Sequence, residues 1–489
     1  MLKIKIAVLN DLHYGSNILC GECHGDISDI LLLRAVHRLN RFIKPDVTLI
    51  PGDLIQNAVF PGAKRKLQRL REIFDLLKSP WIVLPGNNDG DATQFYSVMP
   101  KPAKWIDIGE FRFIPFIDED RPEYNAHRSC EDIDRMSAAR AGHPGPLIAF
   151  QHMSLHRPGS CDCTFNLTNA DEVLDSMRKN RVMLSIGAHF HKGVPLMQDE
   201  GVQTVVSPAL AESPFPFLEI NIDGSRIQTI RHELRMNPNL SLFDNHIHTP
   251  FAYCNDNMDI PLTVDLARRF GLGGITFTEH LSHLYLDREK VQAKYQFVRH
   301  VETLDNESTV RVPAYLKAVN RVQSPFARVG IEMDCVFNGK PFIRASDIPL
   351  FHIRLGAVHC LKELLEPQPD YEKVCDEFLS MIAKLAGSDI HILAHPFRVF
   401  KKSGMACPVH LIKPVIQILR ENKIAAEVNF HTNEPPAEFI RECIESGVKL
   451  SFGSDAHNLY EIGEFTPHLA LLRSLGYTGD ISDLLIKAF

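Results

Sequence analysis

No stretch of this 489-residue chain approaches the roughly 18 consecutive apolar residues of a membrane-spanning helix, which excludes a helical integral membrane protein. The opening residues Met1-Leu2-Lys3-Ile4-Lys5 run straight into a strand pattern without the long apolar core of a secretory leader, so a cytoplasmic protein with no membrane partner is expected. The chain has no block of five or more basic residues, and its net charge is −7. It therefore lacks the electrostatic footprint of tight non-specific binding to a nucleic-acid backbone, and nucleic acid is a disfavoured partner. Internal repeats and low-complexity segments are missing too, which argues against solenoid and largely disordered architectures. The 11 cysteines are odd in number and irregularly spaced. In a reducing compartment that pattern fits thiols or metal ligands better than a disulfide framework.

What is present fits a large soluble protein. The composition is 45% hydrophobic and 23% charged, ordinary for globular chains. The length exceeds what one core usually serves, so two domains of about 200 to 250 residues are expected. Apolar runs at 4–9, 47–50, 81–84, 147–150 and 182–186 read as strands, with amphipathic helices at 30–43 and around Leu67, Leu70, Phe74 and Leu77. Strand and helix alternate, which implies an α/β sheet with helices on its faces. After strands at 217–222 and 227–230, the polar stretch Met236-Asn237-Pro238-Asn239 places a boundary near 236–242, giving domains 1–236 and 242–489. Beyond it, short strands at 275–278, 329–331, 355–358, 390–393, 424–428 and 450–452 alternate with helical segments such as 372–385, the rhythm of a (β/α) barrel.

The strands of the first half each end on a residue type that binds divalent metals: Asp11 and His13, Asp53, Asn87, His152, then His189 and His191. Carboxylate, amide and imidazole groups gathered at strand ends are what a two-metal hydrolytic centre needs, because two ions can clamp both oxygens of a displacement at phosphorus. The second half repeats the theme with His246 and His248, Glu279 and His280, Glu332, His359, His395, Asp455 and His457. Isolated histidines such as His24, His37 and His352 are read as surface or satisfied core residues.

The blocks Asp11-Leu12-His13, Gly52-Asp53, Gly86-Asn87-Asn88-Asp89, His152 and Gly187-Ala188-His189-Phe190-His191 resemble, in order, the motifs of the calcineurin-like metallophosphoesterase superfamily. The resemblance implies an αββα sandwich with one metal on Asp11, His13, Asp53 and His191 and another on Asp53, Asn87, His152 and His189. Asp53 would bridge the pair, and manganese, iron or zinc would occupy it. Asn88 holds the catalytic position where the family usually has a histidine credited with protonating the leaving group. An amide cannot act as a general acid in the working pH range, so a leaving group that needs little protonation is expected. The additional Ala188 is a smaller departure.

The blocks His246-Ile247-His248-Thr249-Pro250, Thr278-Glu279-His280, Gly330-Ile331-Glu332, Val358-His359, Ala394-His395-Pro396 and Gly453-Ser454-Asp455-Ala456-His457 resemble the PHP (polymerase and histidinol phosphatase) family, especially its histidinol-phosphatase-like branch. The resemblance implies a distorted (β/α)7 barrel holding two or three zinc, manganese or iron ions. One site would use His246, His248, Glu332 and Asp455, and a second Glu332, His359 and His395. A third would use His280 and His457 with Cys254, which stands where the family has a histidine. A thiolate is a good zinc ligand, so both a modified and a missing third site stay open. Glu279 is as readily structural as functional. Arg398 either grips a substrate phosphate, as guanidinium geometry favours, or belongs to a solvated loop with Lys401 and Lys402.

Cys20, Cys23, Cys161 and Cys163 lie in loops on the expected catalytic edge, where four thiolates would suit a structural zinc and unrelated free thiols are the plainer reading. The function expected is a bifunctional metal-dependent phosphoesterase of small phosphorylated metabolites or nucleotides. Its N-terminal half would be a phosphodiesterase and its C-terminal half a histidinol-phosphatase-like phosphomonoesterase. The alternatives are a nuclease acting on DNA or RNA ends, and a sensor or scaffold with one degenerate domain.

Overall fold

The computed structural model describes residues 2–15, 22–292, 311–337 and 339–486, which divide into two compact units, Met1–Arg235 and Met236–Phe489. The polar stretch at the expected boundary falls at the start of the second unit, where Met236 is buried and its amide donates to the Phe270 carbonyl at 2.8 Å. No helix among the described residues is long and apolar enough to cross a membrane.

The first unit is built on two sheets. One runs Arg226–Glu233, Pro216–Asp223, Lys3–Val8, Val47–Ile50 and Trp81–Val83, and the other Val194–Asp199, Val202–Val206, Val182–Gly187, Leu147–Gln151, Phe111–Phe116 and Ile106–Ile108. Strand side chains alternate between faces, and in the central strands both faces are buried. Phe113, Ile148, Phe150 and Ile186 pack with Ile6, Val8, Leu49 and Ile220 in the core between the sheets. Their neighbours Ile114, Phe116, Leu147 and Ala149 face outward and pack with Met136, Ala139, Val173 and Met177 of helices Cys130–Arg140 and Ala170–Lys179. Helix Ser28–Arg38 continues as a π turn over Leu39–Ile43 and ends at Lys44, whose left-handed backbone precedes Pro45. Helix Ala63–Phe74 brings the Phe74 ring to 5.5 Å from Trp81. The unit is thus an α/β sandwich, as expected.

The second unit is a single parallel sheet of seven strands: Phe243–Ile247, Gly274–His280, Ala327–Asp334, Ile353–Ala357, Ile392–Leu393, Ala425–Asn429 and Leu450–Gly453. The sheet curls until its ends meet. The Asp455 amide donates to the His246 carbonyl at 2.7 Å and the His248 amide to the Ala456 carbonyl at 3.1 Å, which makes a near-closed barrel. Helices Ile260–Arg269, Val312–Asn320, Tyr371–Ala386, Ile412–Asn422 and Ala437–Ser446 fill most of the crossovers. The third and fourth strands are joined, among the described residues, only through the short turn Ile348–Leu350. Helix Tyr371–Ala386 starts where Asp370 caps the Lys373 amide at 3.1 Å.

In both units the loops that leave the C-terminal strand ends are bent hard. Asp11 (φ 51°), His13 (φ 45°), Asp53 (φ 53°), His189 (φ 69°), His395 (φ 32°) and Asp455 (φ 55°) all have left-handed backbone. Non-glycine residues visit that region sparsely, and strain of this kind concentrates at functional sites. Glycines make the close approach possible. A Cβ on Gly52 would lie 2.3 Å from the Gly86 amide nitrogen, and one on Gly86 would lie 2.2 Å from Asp53 Oδ1. Replacing Gly86 with alanine should therefore push Asp53 out of place and destabilise the first unit by about 1–3 kcal/mol, the usual range for overpacking. Thermal denaturation with metal titration should show an earlier transition and weaker binding. Wild-type values for both would mean that the two loops have more slack than this contact allows.

Candidate metal centres

Nitrogen and oxygen atoms that could bind a cation converge at the C-terminal strand ends of the first unit. His13 Nε2 lies 3.1 Å from His191 Nε2, and each is 3.9 Å from Asp11 Oδ1, a buried oxygen with no hydrogen-bond partner. A second group surrounds His152 Nε2, with Asn87 Oδ1 at 3.0 Å and His189 Nδ1 at 3.1 Å. Asp53 Oδ2 stands between the groups, 3.7 Å from His13 and 3.6 Å from His152.

The outward nitrogens fix what faces inward. His152 Nδ1 donates to the Pro51 carbonyl at 2.7 Å and His189 Nε2 to the Tyr124 carbonyl at 3.1 Å. In the neutral rings, His152 Nε2 and His189 Nδ1 are then lone pairs pointed at each other, an arrangement that needs a shared positive charge. A proton would satisfy two acceptors, but here the Asn87 oxygen and Asp53 converge on the same point. Four acceptors suit a divalent ion, whose ligands sit about 3.0–3.4 Å apart when the bonds are about 2.1 Å. On the other side His191 Nδ1 donates to Glu212 Oε1 at 2.6 Å, a carboxylate–histidine pair of the kind that orients metal ligands. Burial raises the Asp53 carboxyl, yet His152 and His13 pull it down to about 2, so it stays anionic. In the metal-free site, burial and the charge of a protonated His152, which Asp53 and Asp11 raise against burial, lower His189 to about 4 and keep it neutral.

Asn88 does not face away from this group. Its amide N–H donates to Asp53 Oδ1 at 2.9 Å and its side-chain Nδ2 to Asp53 Oδ2 at 2.7 Å. Asp89 is buried and accepts from the amides of Leu54, Ile55 and Gly86, tying the loop of Asp53 to the loop of Asn87.

In the second unit Glu332 is the hub. Its Oε1 lies 2.9 Å from His395 Nε2, 3.3 Å from His359 Nε2 and 3.6 Å from His246 Nε2, and its Oε2 lies 2.5 Å from His280 Nδ1. Asp455 Oδ1 is 2.9 Å from His248 Nε2 and 3.5 Å from His246 Nε2. His246 Nε2 is buried and hydrogen-bonds to nothing. The outward nitrogens again donate: His246 Nδ1 to Glu427 at 2.7 Å, His248 Nδ1 to Glu279 at 3.3 Å, and His359 Nδ1 to Asp334. Glu279 thus orients the His248 ring.

His248, His280 and His457 gather as one potential ligand group, and Cys254, His280 and His283 as another. His283 is a poor ligand, since its Nδ1 accepts the Tyr253 amide at 3.0 Å and leaves the other nitrogen protonated. Cys254, His280, His283 and His457 border a cavity of about 660 Å³ that Arg398 and Lys402 also line. Arg398 corrects the solvated-loop reading of its role. It is buried instead of solvated, and its guanidinium is engaged by Asp455 Oδ2 at 2.6 Å, Asn429 at 2.6 Å and Asn433 at 3.1 Å while still bordering the cavity.

The cysteines have separate surroundings. Cys23 Sγ lies 3.9 Å from His191 Nδ1 and 3.9 Å from Glu212, beside the His13 group. Cys163 Sγ lies 3.5 Å from Ser154 Oγ and 3.2 Å from the Phe165 carbonyl, in an apolar cluster with Cys161. Cys20 is outside the described residues. Glu212, Glu427 and Asp334 were not found from sequence. Asp334 could have been, because it lies two residues after Glu332 on the same face of one strand.

Residues 4–193 match the family of calcineurin-like phosphoesterases. No curated protein matches the chain in sequence. Among solved structures it is similar to a dimetal phosphatase from Danio rerio at 16% identity, over 47% of this chain and 96% of that one, with a TM-score of 0.39. It is similar to a purple acid phosphatase from yellow lupin at 14%, over 47% and 52%, with a TM-score of 0.34. It is also similar to a histidinol phosphate phosphatase from Lactococcus lactis, in complex with zinc, L-histidinol and phosphate, at 16%, over 48% and 94%, with a TM-score of 0.35.

Two outcomes follow from the outward hydrogen bonds. Glu212→Gln should weaken metal binding in the first unit about 10- to 100-fold, read by competition titration against a chelator, because His191 loses its orienting carboxylate. An unchanged affinity would remove Glu212 from the site. The second outcome concerns pH. Burial opposes charge on both rings, yet Glu332 and Asp334 hold His359 up at about 10, and Asp455 and Glu279 hold His248 at about 9. Raised histidines stabilise the metal-free fold fully below their unfolded value near 6.5, and that contribution is lost as pH rises through 9 to 10. Metal-bound rings are neutral and have no such proton to lose. The melting temperature of chelator-treated protein should therefore fall between pH 7 and 10 more than that of metal-loaded protein. Equal falls would contradict the charge state assigned to these rings.

Proposed function

We propose that this chain, which carries a calcineurin-like metallophosphoesterase domain over residues 4–193 and is thereby a metal-dependent phosphoric ester hydrolase, is bifunctional. Its N-terminal unit opens a phosphodiester, and its C-terminal unit acts as a histidinol-phosphatase-like phosphomonoesterase on the product, a small phosphorylated metabolite or nucleotide. The observation that carries this reading is that in each unit imidazole lone pairs and buried carboxylates converge on common points with their outer nitrogens already bonded.

In the first unit Asp11, His13, Asp53 and His191 would hold one ion and Asp53, Asn87, His152 and His189 the other, with manganese, iron or zinc suited to that donor set. In the second, His246, His248, Glu332 and Asp455 would hold one and Glu332, His359 and His395 another. His280, His457 and Cys254 are the candidates for a third. Divalent ions there supply an activated water nucleophile and neutralise charge at phosphorus. Asn88 keeps Asp53 fixed by two hydrogen bonds and offers the leaving group no proton, so the first unit favours weakly basic leaving groups. In the second unit Arg398 holds the outer oxygen of Asp455 and leaves the inner one for a ligand role.

The test uses Asp53→Asn and Asp455→Asn separately in the full chain with one candidate diester. The wild type should hold four to five ions by elemental analysis, and each variant should lose metal from its own unit. The Asp455 variant should accumulate the monoester without releasing phosphate. The Asp53 variant should leave the diester intact yet hydrolyse added monoester. Loss of the same single activity in both variants contradicts the two-step scheme.

A further inference from the structure

The opening of the first unit's metal-ligand group is walled by aromatic rings. A cavity of about 400 Å³ is lined by His13, Asp53 and Asn88 on one side and by Tyr124, Phe165 and Phe190 on the other. The rings form a ridge that starts on a ligand. Phe165 lies 5.0 Å from the His189 ring, 6.1 Å from Tyr124 and 6.3 Å from Phe190. A second cavity of about 340 Å³ shares Asn87, Tyr124 and His189 with the first, so Tyr124 borders two adjoining compartments. Their sizes are in the range of sites for small organic ligands.

Tyr124 is held in place for a reason that packing does not provide. Its side chain is 69% exposed, and it sits at the tip of the hairpin formed by Glu119–Arg121 and Asn125–His127. Glu123 (φ 60°) and Tyr124 (φ 59°) are consecutive left-handed residues, a conformation that non-glycine residues keep only when their surroundings impose it. Two anchors impose it. The Tyr124 carbonyl accepts from His189 Nε2 at 3.1 Å, and at the hairpin's base Arg128 forms a buried bidentate pair with Asp118 at 2.8 and 3.0 Å. The strained tip thus directs one metal-ligating histidine and presents an exposed ring beside it.

We infer that the substrate of the first unit is a phosphoanhydride bearing a planar ring, a nucleoside diphosphate derivative, whose ring stacks on Tyr124 and Phe165. The inference rests on the dimetal reading of this unit and adds the substrate class. The ridge supplies the stacking surface that nucleobases recognise. The engaged Asn88 supplies the other half: an anhydride departs as a phosphate, whose second pKa is near 6, and therefore leaves without protonation. In the reaction a water oxygen bonds to one phosphorus while the P–O bond to the bridging oxygen breaks. The bridging oxygen stays on the second phosphorus, two phosphomonoesters form, and the protons of the water pass to the phosphates or solvent. Monoesters of this kind are substrates for the phosphomonoesterase proposed in the second unit. Lys192 is also on the wall of this cavity.

The test compares kcat/KM of the metal-loaded full chain for a nucleoside diphosphate sugar and for an alkyl pyrophosphate without a base. The ring-bearing substrate should be preferred by about tenfold or more, as one base stack provides. Tyr124→Ala should reduce that ratio about tenfold, mainly through KM, and Tyr124→Phe should keep it. Calorimetric binding of a methylene-bridged nucleoside diphosphate should weaken in parallel in the alanine variant. A ratio that stays within twofold of wild type in Tyr124→Ala, or a wild type that does not distinguish the two substrates, overturns the inference. If the wild type holds metal and cleaves a nitrophenyl phosphodiester while ignoring the nucleoside diphosphate sugar, the substrate class is wrong and the dimetal reading stands. If Asp53→Asn keeps full metal content and activity, the dimetal reading itself has failed.

Discussion

Everything at the strand ends of this protein depends on holding lone pairs and negative charges close together. His152 Nε2, His189 Nδ1 and the Asn87 oxygen meet within 3.0–3.1 Å, and Glu332 lies within 3.6 Å of several imidazoles. No hydrogen-bond pattern among neutral groups satisfies such a set, and burying it unpaired is costly. The surrounding chain is shaped to impose it. Left-handed backbone at Asp11, His13, Asp53 and His189 turns the side chains inward, and the Gly52–Gly86 contact lets two ligand loops touch. The two sheets packed behind these loops supply the rigidity that keeps the arrangement from relaxing.

The two units solve the same orientation problem with different outer partners. In the first, two of the outward nitrogens donate to backbone carbonyls, those of Pro51 and Tyr124, and one to a half-buried carboxylate, Glu212. In the second the partners are the carboxylates Glu427, Glu279 and Asp334. Added to Glu332 and Asp455, they give the barrel mouth five buried or nearly buried carboxylates. Carboxylate partners make the imidazoles stronger donors toward a metal and also concentrate negative charge. That explains why a buried arginine, Arg398, is placed against Asp455, and why His359 and His248 retain protons when no metal compensates.

How much of this was legible in sequence follows from how far the responsible groups lie from one another. Candidate ligands beyond a strand end announce themselves, because a short apolar run stops just before a residue type suited to metals, as at Asp53 after Val47–Ile50. The partners that orient them do not. Glu212 meets His191 through the return of the chain after Val202–Val206, and no local pattern marks it. The hairpin that carries Tyr124 is missed for another reason: its strands are three residues long, polar and exposed, so neither periodicity nor burial separates them from a loop. Arg398 sits beside Lys401 and Lys402 in sequence, which suggested a solvated loop. Asn429 and Asn433, which draw its side chain inward, lie on the following strand and the loop beyond it.

Asn88 shows how one substitution can redirect a site without dismantling it. A histidine at that position could be charged and could donate a proton, but a cation beside Asp53 would compete with the metals for that carboxylate. The neutral amide keeps both oxygens of Asp53 oriented, through its backbone and side-chain N–H groups, while adding no charge. Against burial, which raises it, the Asp53 carboxyl is held down to about 2 first by His152 and His13 and then by the Asn88 hydrogen bonds. The cost falls on catalysis with basic leaving groups, where protonation matters. On the proposed reading, a site that protonates poorly would work best on esters or anhydrides whose leaving group is already stable as an anion, and its selectivity would come from the walls around it. In this unit those walls are the rings of Tyr124, Phe165 and Phe190.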